Sequence, residues 1–226
     1  MTRSRVPWTL FLAAALLAPA AALADGGASL PRPSSRQALT PEQEAVELYN
    51  DGNSYRDKAA SFEKEAASET DAKKKEKLEK KAFERHEGSI KKFAAATEKD
   101  PRLFQAWGNL GYAYRKTGKY AEALQAYDRA LEIQPGYTPA IEYRGEAYLG
   151  LNRLDDVQNS YMTLFSSDRA RADELAAAID QWIQKKKAEP GAVDPAALDR
   201  FAAWAAERKQ LASQTSALTL PQPPRW

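Results

Sequence analysis

Between Phe104 and Pro135 small and aromatic residues recur at helical spacing in two consecutive runs, and this pattern limits the fold more than any other feature of the chain. Trp107, Leu110, Gly111 and Tyr114 fall on one face of a first helix. After a break at Gly118, Ala123, Tyr127 and Ala130 fall on one face of a second, which ends before Pro135. A glycine inside a helix costs about 0.5–1 kcal/mol relative to alanine, so Gly108 and Gly111 call for a compensating gain. For Gly111 the gain is close approach. Two antiparallel helices joined by a short turn touch only where small residues face each other, so Gly111 is expected against Ala123 with aromatic rings filling the space above and below. Gly108 has no place in this scheme beyond leaving room for a neighbour or a ligand.

The arrangement resembles the tetratricopeptide repeat, whose 34-residue unit runs Trp-x2-Leu-Gly-x2-Tyr, then Ala-x3-Phe, then Ala and Pro. Residues 104–137 supply Trp107, Leu110, Gly111, Tyr114, Ala123, Tyr127, Ala130 and Pro135, with tyrosine in place of phenylalanine. Residues 138–171 are a degenerate second unit. There Gly145, Tyr148 and Tyr161 fit, whereas Ile141, Arg144, Val157 and Leu164 replace motif residues. Upstream, Leu48, Gly52 and Tyr55 match a first helix and Phe93, Ala96 and Pro101 the end of a second, with about 25 extra residues between them relative to the standard unit. The extra residues keep helical order, through Ala59, Phe62 and Ala66 outward and Leu78, Ala82, His86, Ile90 and Phe93 on the return. Residues 41–103 therefore read as one unit with both helices lengthened into a hairpin. Glu63, Glu65 and Glu69 going out are expected to face Lys73, Lys74, Lys75, Lys77, Lys80 and Lys81 coming back, at about 0.2–1 kcal/mol per exposed pair. Interleaved Glu76, Glu79 and Glu84 make that lysine run a solvated face rather than a nucleic-acid patch.

The expected fold is all-α: tetratricopeptide-type antiparallel helix pairs stacked as a short right-handed solenoid over residues 40–171, with an extended first hairpin. Helix starts are marked by a capping side chain before proline at Thr40-Pro41, Asp100-Pro101, Thr138-Pro139 and Asp194-Pro195. Gly118, Gly136 and Gly191 sit at the breaks, where a left-handed residue closes a helix cheaply. Residues 172–213 carry two further apolar stripes, Leu175, Ile179, Trp182 and Ile183, then Leu198, Phe201, Ala202, Ala205 and Leu211. They read as the helical cap that a repeat stack needs over its last apolar face. Residues 25–39, rich in Gly, Pro and Ser, read as a flexible linker, and residues 214–226 as a Pro-rich disordered tail ending in Trp226.

Residues 1–24 combine Arg3 and Arg5, an apolar run and a small-x-small ending at Ala22 and Ala24, the layout of a secretory signal peptide cleaved before Asp25. The run from Val6 to Ala24 nearly reaches the ~20 residues of a membrane span, but Pro7, Pro19 and the many alanines weaken it as one. The expected location is periplasmic or secreted, with no stable membrane insertion after cleavage. Of 33 basic and 31 acidic residues in the chain, the two arginines leave with the signal. The remaining charge balances, which argues against nucleic acid or an anionic membrane as partner. With no cysteine, an exported protein must be held together by packing rather than disulfides.

Catalytic signatures are missing. His86 is the only histidine, so no two-histidine metal cluster can form and any nucleophile–histidine–acid arrangement depends on one residue. No phosphate-cradling or dinucleotide-binding loop is present. The chain is expected to be no enzyme and to need no cofactor. The resemblance implies a concave wall of first helices that binds a protein or peptide partner. On that wall would lie Tyr49, Asn50, Asn53 and Asp57, then Asn109, Tyr112 and Lys116, then Glu142, Tyr143 and Glu146. Tyrosine supplies rigid contact area and asparagine pairs with an extended backbone. The resemblance also brings a lysine/arginine clamp for C-terminal carboxylates, but Glu142, Tyr143 and Glu146 stand where its cations would be. A neutral or basic peptide is therefore expected, and an acidic tail rejected. The alternative is a homo-oligomer in the cell envelope, self-assembling through the hairpin or the cap helices with Trp182 or Trp204 at the contact.

Overall fold

The computed structural model describes residue 30 and residues 38–189, 191 and 193–217. The expected signal peptide, most of the expected linker and the chain from 218 onward, with Trp226, lie outside the described residues. Those described form eight helices and no strand: α1 (Pro41–Ser68), α2 (Ala72–Lys99), α3 (Phe104–Lys116), α4 (Tyr120–Ile133), α5 (Thr138–Gly150), α6 (Leu154–Ser167), α7 (Arg169–Ala188) and α8 (Pro195–Ala217). Each packs on the next, and α5 also touches α3 and α7. The odd-numbered helices thus form an inner row and the even-numbered an outer one.

The first hairpin follows from its small residues. Ala45, Gly52, Ala59 and Ala66 are buried along one side of α1 at intervals of seven, facing Leu78, Ala82, Ile90 and Phe93 of α2. A small residue every second turn lets the two 28-residue helices approach closely along their whole length. The capping box at Thr40 and Gln43 starts α1. Glu69 accepts from the backbone N–H of Thr70 and Asp71 and so makes the turn, and Asp71 caps α2. The expected ladder of Glu–Lys pairs across the hairpin is absent. Among the described residues Lys73 to Lys80 form no ion pair, Lys81 lies over the Phe62 ring, and Glu63 is bound by His86 and Lys116 instead. Packing of the apolar seam holds the hairpin, and the exposed charges solvate it.

Degeneracy in the second unit does not disturb its geometry. Helices α3 and α5 are 13 residues each, α4 and α6 are 14 each, and the two pairs start 34 residues apart. At the turn inside each pair one residue is left-handed, Gly118 (φ 77°) in the first and Asn152 (φ 56°) at the equivalent place in the second. Asparagine tolerates that region better than other non-glycine residues, which is how the second unit keeps its turn without glycine. Ile141, Val157 and Leu164 stay buried where the motif has other residues. Arg144, in place of the motif leucine, reaches Asp128 of α4 at 2.7 Å.

Several boundary expectations need correcting. Asp100-Pro101 ends a helix rather than starting one: the Asp100 carboxylate accepts from Arg102 N–H and α3 begins at Phe104. Thr138 does not cap its own helix but donates its hydroxyl to Asp168. Gly136 is not left-handed, whereas Gly118 and Gly191 are. Leu211 is exposed instead of joining the α8 stripe. Asp194 does cap α8, accepting from Ala197 N–H at 3.0 Å.

The residue pressing on Gly111 is also not the one expected. A methyl at Gly111 would lie 2.6 Å from the Tyr127 ring, so the glycine opens a slot for an aromatic side chain one turn beyond the buried Ala123. Gly108 makes room in the same way for Tyr137, and Gly52 for Phe93. The core falls into two clusters, one from α1 to α4 and one from α4 to α8, and Trp107 and Tyr114 pack against both. The most regular unit is therefore the joint between the two halves of the core.

Candidate functional site

The expected site residues lie on α1, α3 and α5, but the inner helices pack on one another and bury part of that face. Asn109 of α3 donates through Nδ2 to the Tyr49 hydroxyl at 3.1 Å and to Asn53 Oδ1 at 3.2 Å, both on α1. Its Oδ1 accepts from Arg56 at 3.4 Å. The Tyr49 ring lies 5.8 Å from that of Phe93 of α2, tilted by 52°, and so does not stand clear of the outer row. Glu142 is buried under α7, where Arg171 holds it at 2.5 Å. Tyr49, Asn53, Asn109 and Glu142, expected in the groove, are buried and act as polar joints between helices. Asn53 Nδ2 is buried with no hydrogen-bond partner among the described residues. Asn50 is taken up by the Leu30 backbone. The chain is thus held at Leu30, within the stretch expected to be a flexible linker.

Only partly buried on the inner face are Tyr112, Lys116, Tyr143 and Glu146. The Tyr112 and Tyr143 rings meet edge to face at 5.2 Å, bridging α3 and α5. The Arg115 guanidinium lies 5.2 Å from both ring centres and pairs with Glu146 at 2.5 Å. On its other side Tyr112 meets the His86 ring at 6.0 Å. The Tyr112 hydroxyl has no hydrogen-bond partner among the described residues, and burial raises its pKa, so it stays a neutral phenol.

Glu63 completes this strip. It receives His86 Nε2 at 3.0 Å and Lys116 Nζ at 2.8 Å. A carboxylate only accepts, so Nε2 carries the proton, and buried Nδ1 has no partner among the described residues. Burial by itself would raise the Glu63 pKa, but the two hydrogen bonds and positive charges outweigh it and hold the carboxyl at about 2.

The face does carry cations, although Glu142, Tyr143 and Glu146 left none expected on α5. Arg56 comes from α1, Arg115 and Lys116 from α3 and Arg171 from α7, and each is matched, by Asp57, Glu146, Glu63 and Glu142 respectively. The role of Arg171 was hidden because the α7 sequence reads as a cap rather than as a fourth inner helix. Trp182 and Trp204 both pack on the cap residue Phe201, Trp182 edge-on at 5.8 Å and Trp204 stacked at 5.6 Å, and both stay partly accessible. Among the described residues no group of three metal-binding side chains converges, and no described helix is long and apolar enough to cross a membrane.

With the paired helices and their shared face in view, comparison with known proteins fixes the central unit. Residues 104–137 match the tetratricopeptide repeat. That repeat is the one carrying Asn109, Tyr112, Arg115 and Lys116. Over 72 residues the chain is 36% identical to the mouse protein O-mannosyl-transferase TMTC2, covering 30% of this chain and 8% of that protein. Over 50 residues it is 34% identical to the small glutamine-rich tetratricopeptide repeat-containing protein 2 of Mycosarcoma maydis, covering 22% and 14%. The chain therefore spans a small fraction of the length of these curated relatives. Among solved structures, it aligns with the first tetratricopeptide repeat domain of Spaghetti (RPAP3) bound to the HSP90 peptide SRMEEVD. That alignment has 18% identity and a TM-score of 0.39, and covers 56% of this chain and 94% of the other.

Proposed function

We propose that this chain is a non-catalytic, exported scaffold that holds a segment of a partner protein against its inner helices. The observation that carries the reading is the edge-to-face pair of Tyr112 and Tyr143 on adjacent inner helices, both only partly buried, with the Tyr112 hydroxyl unpaired among the described residues. Tyrosines on a rigid scaffold give large amphipathic contact area at little entropic cost, which is why they concentrate binding energy at interfaces. The cations beside them are each neutralised by a carboxylate of the same face, so an acidic tail would have to break an existing pair to enter. A neutral or basic segment binds without that exchange. Export rests on the layout of residues 1–24, and the periplasm or the exterior is the compartment where the partner is to be sought.

The test is affinity capture from cells that export the protein. Tyr112→Ala combined with Tyr143→Ala should reduce partner recovery at least about tenfold, the loss expected when a ~1–2 kcal/mol contact is removed at each of two anchors. Far-UV circular dichroism should be unchanged. Undiminished recovery with the double variant would refute the site.

A further inference from the structure

Asn50 has no earlier inner helix to bond among the described residues, yet both ends of its carboxamide are hydrogen-bonded. Its Oδ1 accepts from the Leu30 backbone N–H at 2.7 Å, and its Nδ2 donates to the Leu30 carbonyl at 2.7 Å. Asn50 is 3% exposed, and half-buried Leu30 packs on the cluster containing Tyr49 and Phe93. Gly52 and Gly111 occupy matching places, each beneath an aromatic ring of its outer helix, and this aligns Asn50 with Asn109. Asn109 spends its carboxamide on Tyr49 and Asn53 of the preceding inner helix. At the first helix the Leu30 backbone takes the place of that helix.

The sequence explains why this residue is the one held. Leu30 precedes Pro31, which disfavours the helical region for Leu30 and biases it towards extended backbone. An extended residue presents its N–H and C=O so that one carboxamide can meet both. A buried carboxamide left with neither bond carries a desolvation penalty, so the position selects for a backbone occupant, and the apolar surface beside it selects for leucine.

We propose that Asn50 and the adjoining apolar surface form a backbone-reading site for an extended, leucine-bearing segment, kept filled in cis by Leu30. It lies on α1, apart from the Tyr112–Tyr143 pair, and does not depend on what that pair binds. Because short tethers give effective concentrations of about 1 mM, a free peptide with an intrinsic Kd of about 0.1 mM is weakened about tenfold by the tethered competitor.

The probe is a fluorescein-labelled peptide of residues 27–33, Gly-Ala-Ser-Leu-Pro-Arg-Pro, read by anisotropy against the full chain. The Leu30→Asp variant should bind it about tenfold more tightly than the wild type. Leu30→Asp with Asn50→Ala should lose that gain, and a peptide with aspartate for leucine should not bind. A second reading needs no variant: unlabelled peptide at several times the effective concentration of about 1 mM should move the Leu30 amide resonance of the wild-type chain towards its free position. Equal binding by wild type and Leu30→Asp, no binding by either, or an unmoved Leu30 resonance would overturn the proposal.

Discussion

At the scale of single residues, the hydrogen at Gly111 is what admits the Tyr127 ring. Alanine there recovers about 0.5–1 kcal/mol of helix propensity. It also drives a methyl to 2.6 Å from a ring that is fully buried, and overpacking of that kind costs about 1–3 kcal/mol. Gly111→Ala should therefore lower the unfolding free energy read from urea titration by about 1 kcal/mol net, while Gly136→Ala, with nothing within 4 Å and no positive φ, should stay within about 0.5 kcal/mol of the wild type. Glu63 gives a pH signature. Its pKa of about 2 in the folded chain lies below its ordinary 4.5, so the unfolded chain binds more protons between those values. Its contribution to stability is complete above pH 4.5 and lost as pH falls towards 2. Glu63→Gln should flatten the acid limb by about 1–2 kcal/mol once solvent screening at this partly exposed group is allowed for, as read from urea unfolding at a series of pH values. The sequence pattern identified the inward-facing residues around Gly111. It could not say which neighbour fills the slot, because motif spacing defines a face and not the tilt of a ring across it.

At the scale of elements, the turn between paired helices needs one left-handed residue, supplied by Gly118 and then by Asn152. Asn152→Gly should be neutral. Asn152→Val should cost about 1–2 kcal/mol, since a β-branched residue resists positive φ, and thermal unfolding would show the difference. The asparagine escaped the sequence reading because glycine is the stronger marker of a helix end and Gly150 stands two residues earlier. The capping-residue-plus-proline device was similarly ambiguous. It starts α1 and α8, but at Asp100 the same pair of residue types closes α2, since an aspartate beside proline forms a turn as readily as a cap. Helix existence and pairing were legible from the spacing of small and aromatic residues; the ends were decided by hydrogen bonds that spacing does not encode.

At the scale of the whole molecule, four inner helices pack in a row, and their contacts decide which polar residues remain for a partner. The sequence assigned the expected groove residues to α1, α3 and α5 and could not foresee that Asn109 would turn to Tyr49 and Asn53, or that Arg171 would cover Glu142. Each of those contacts joins residues at least 29 positions apart, beyond the reach of any local pattern. What remains is the Tyr112–Tyr143 strip with Lys116 and Glu146. The most direct measurement of that claim is photo-crosslinking in cells that produce the protein, with benzoylphenylalanine placed at Tyr112 and, separately, at Met162, which is exposed on the outer row. The account predicts a discrete partner adduct from position 112 and none from position 162. An adduct from 162 with none from 112 would contradict it.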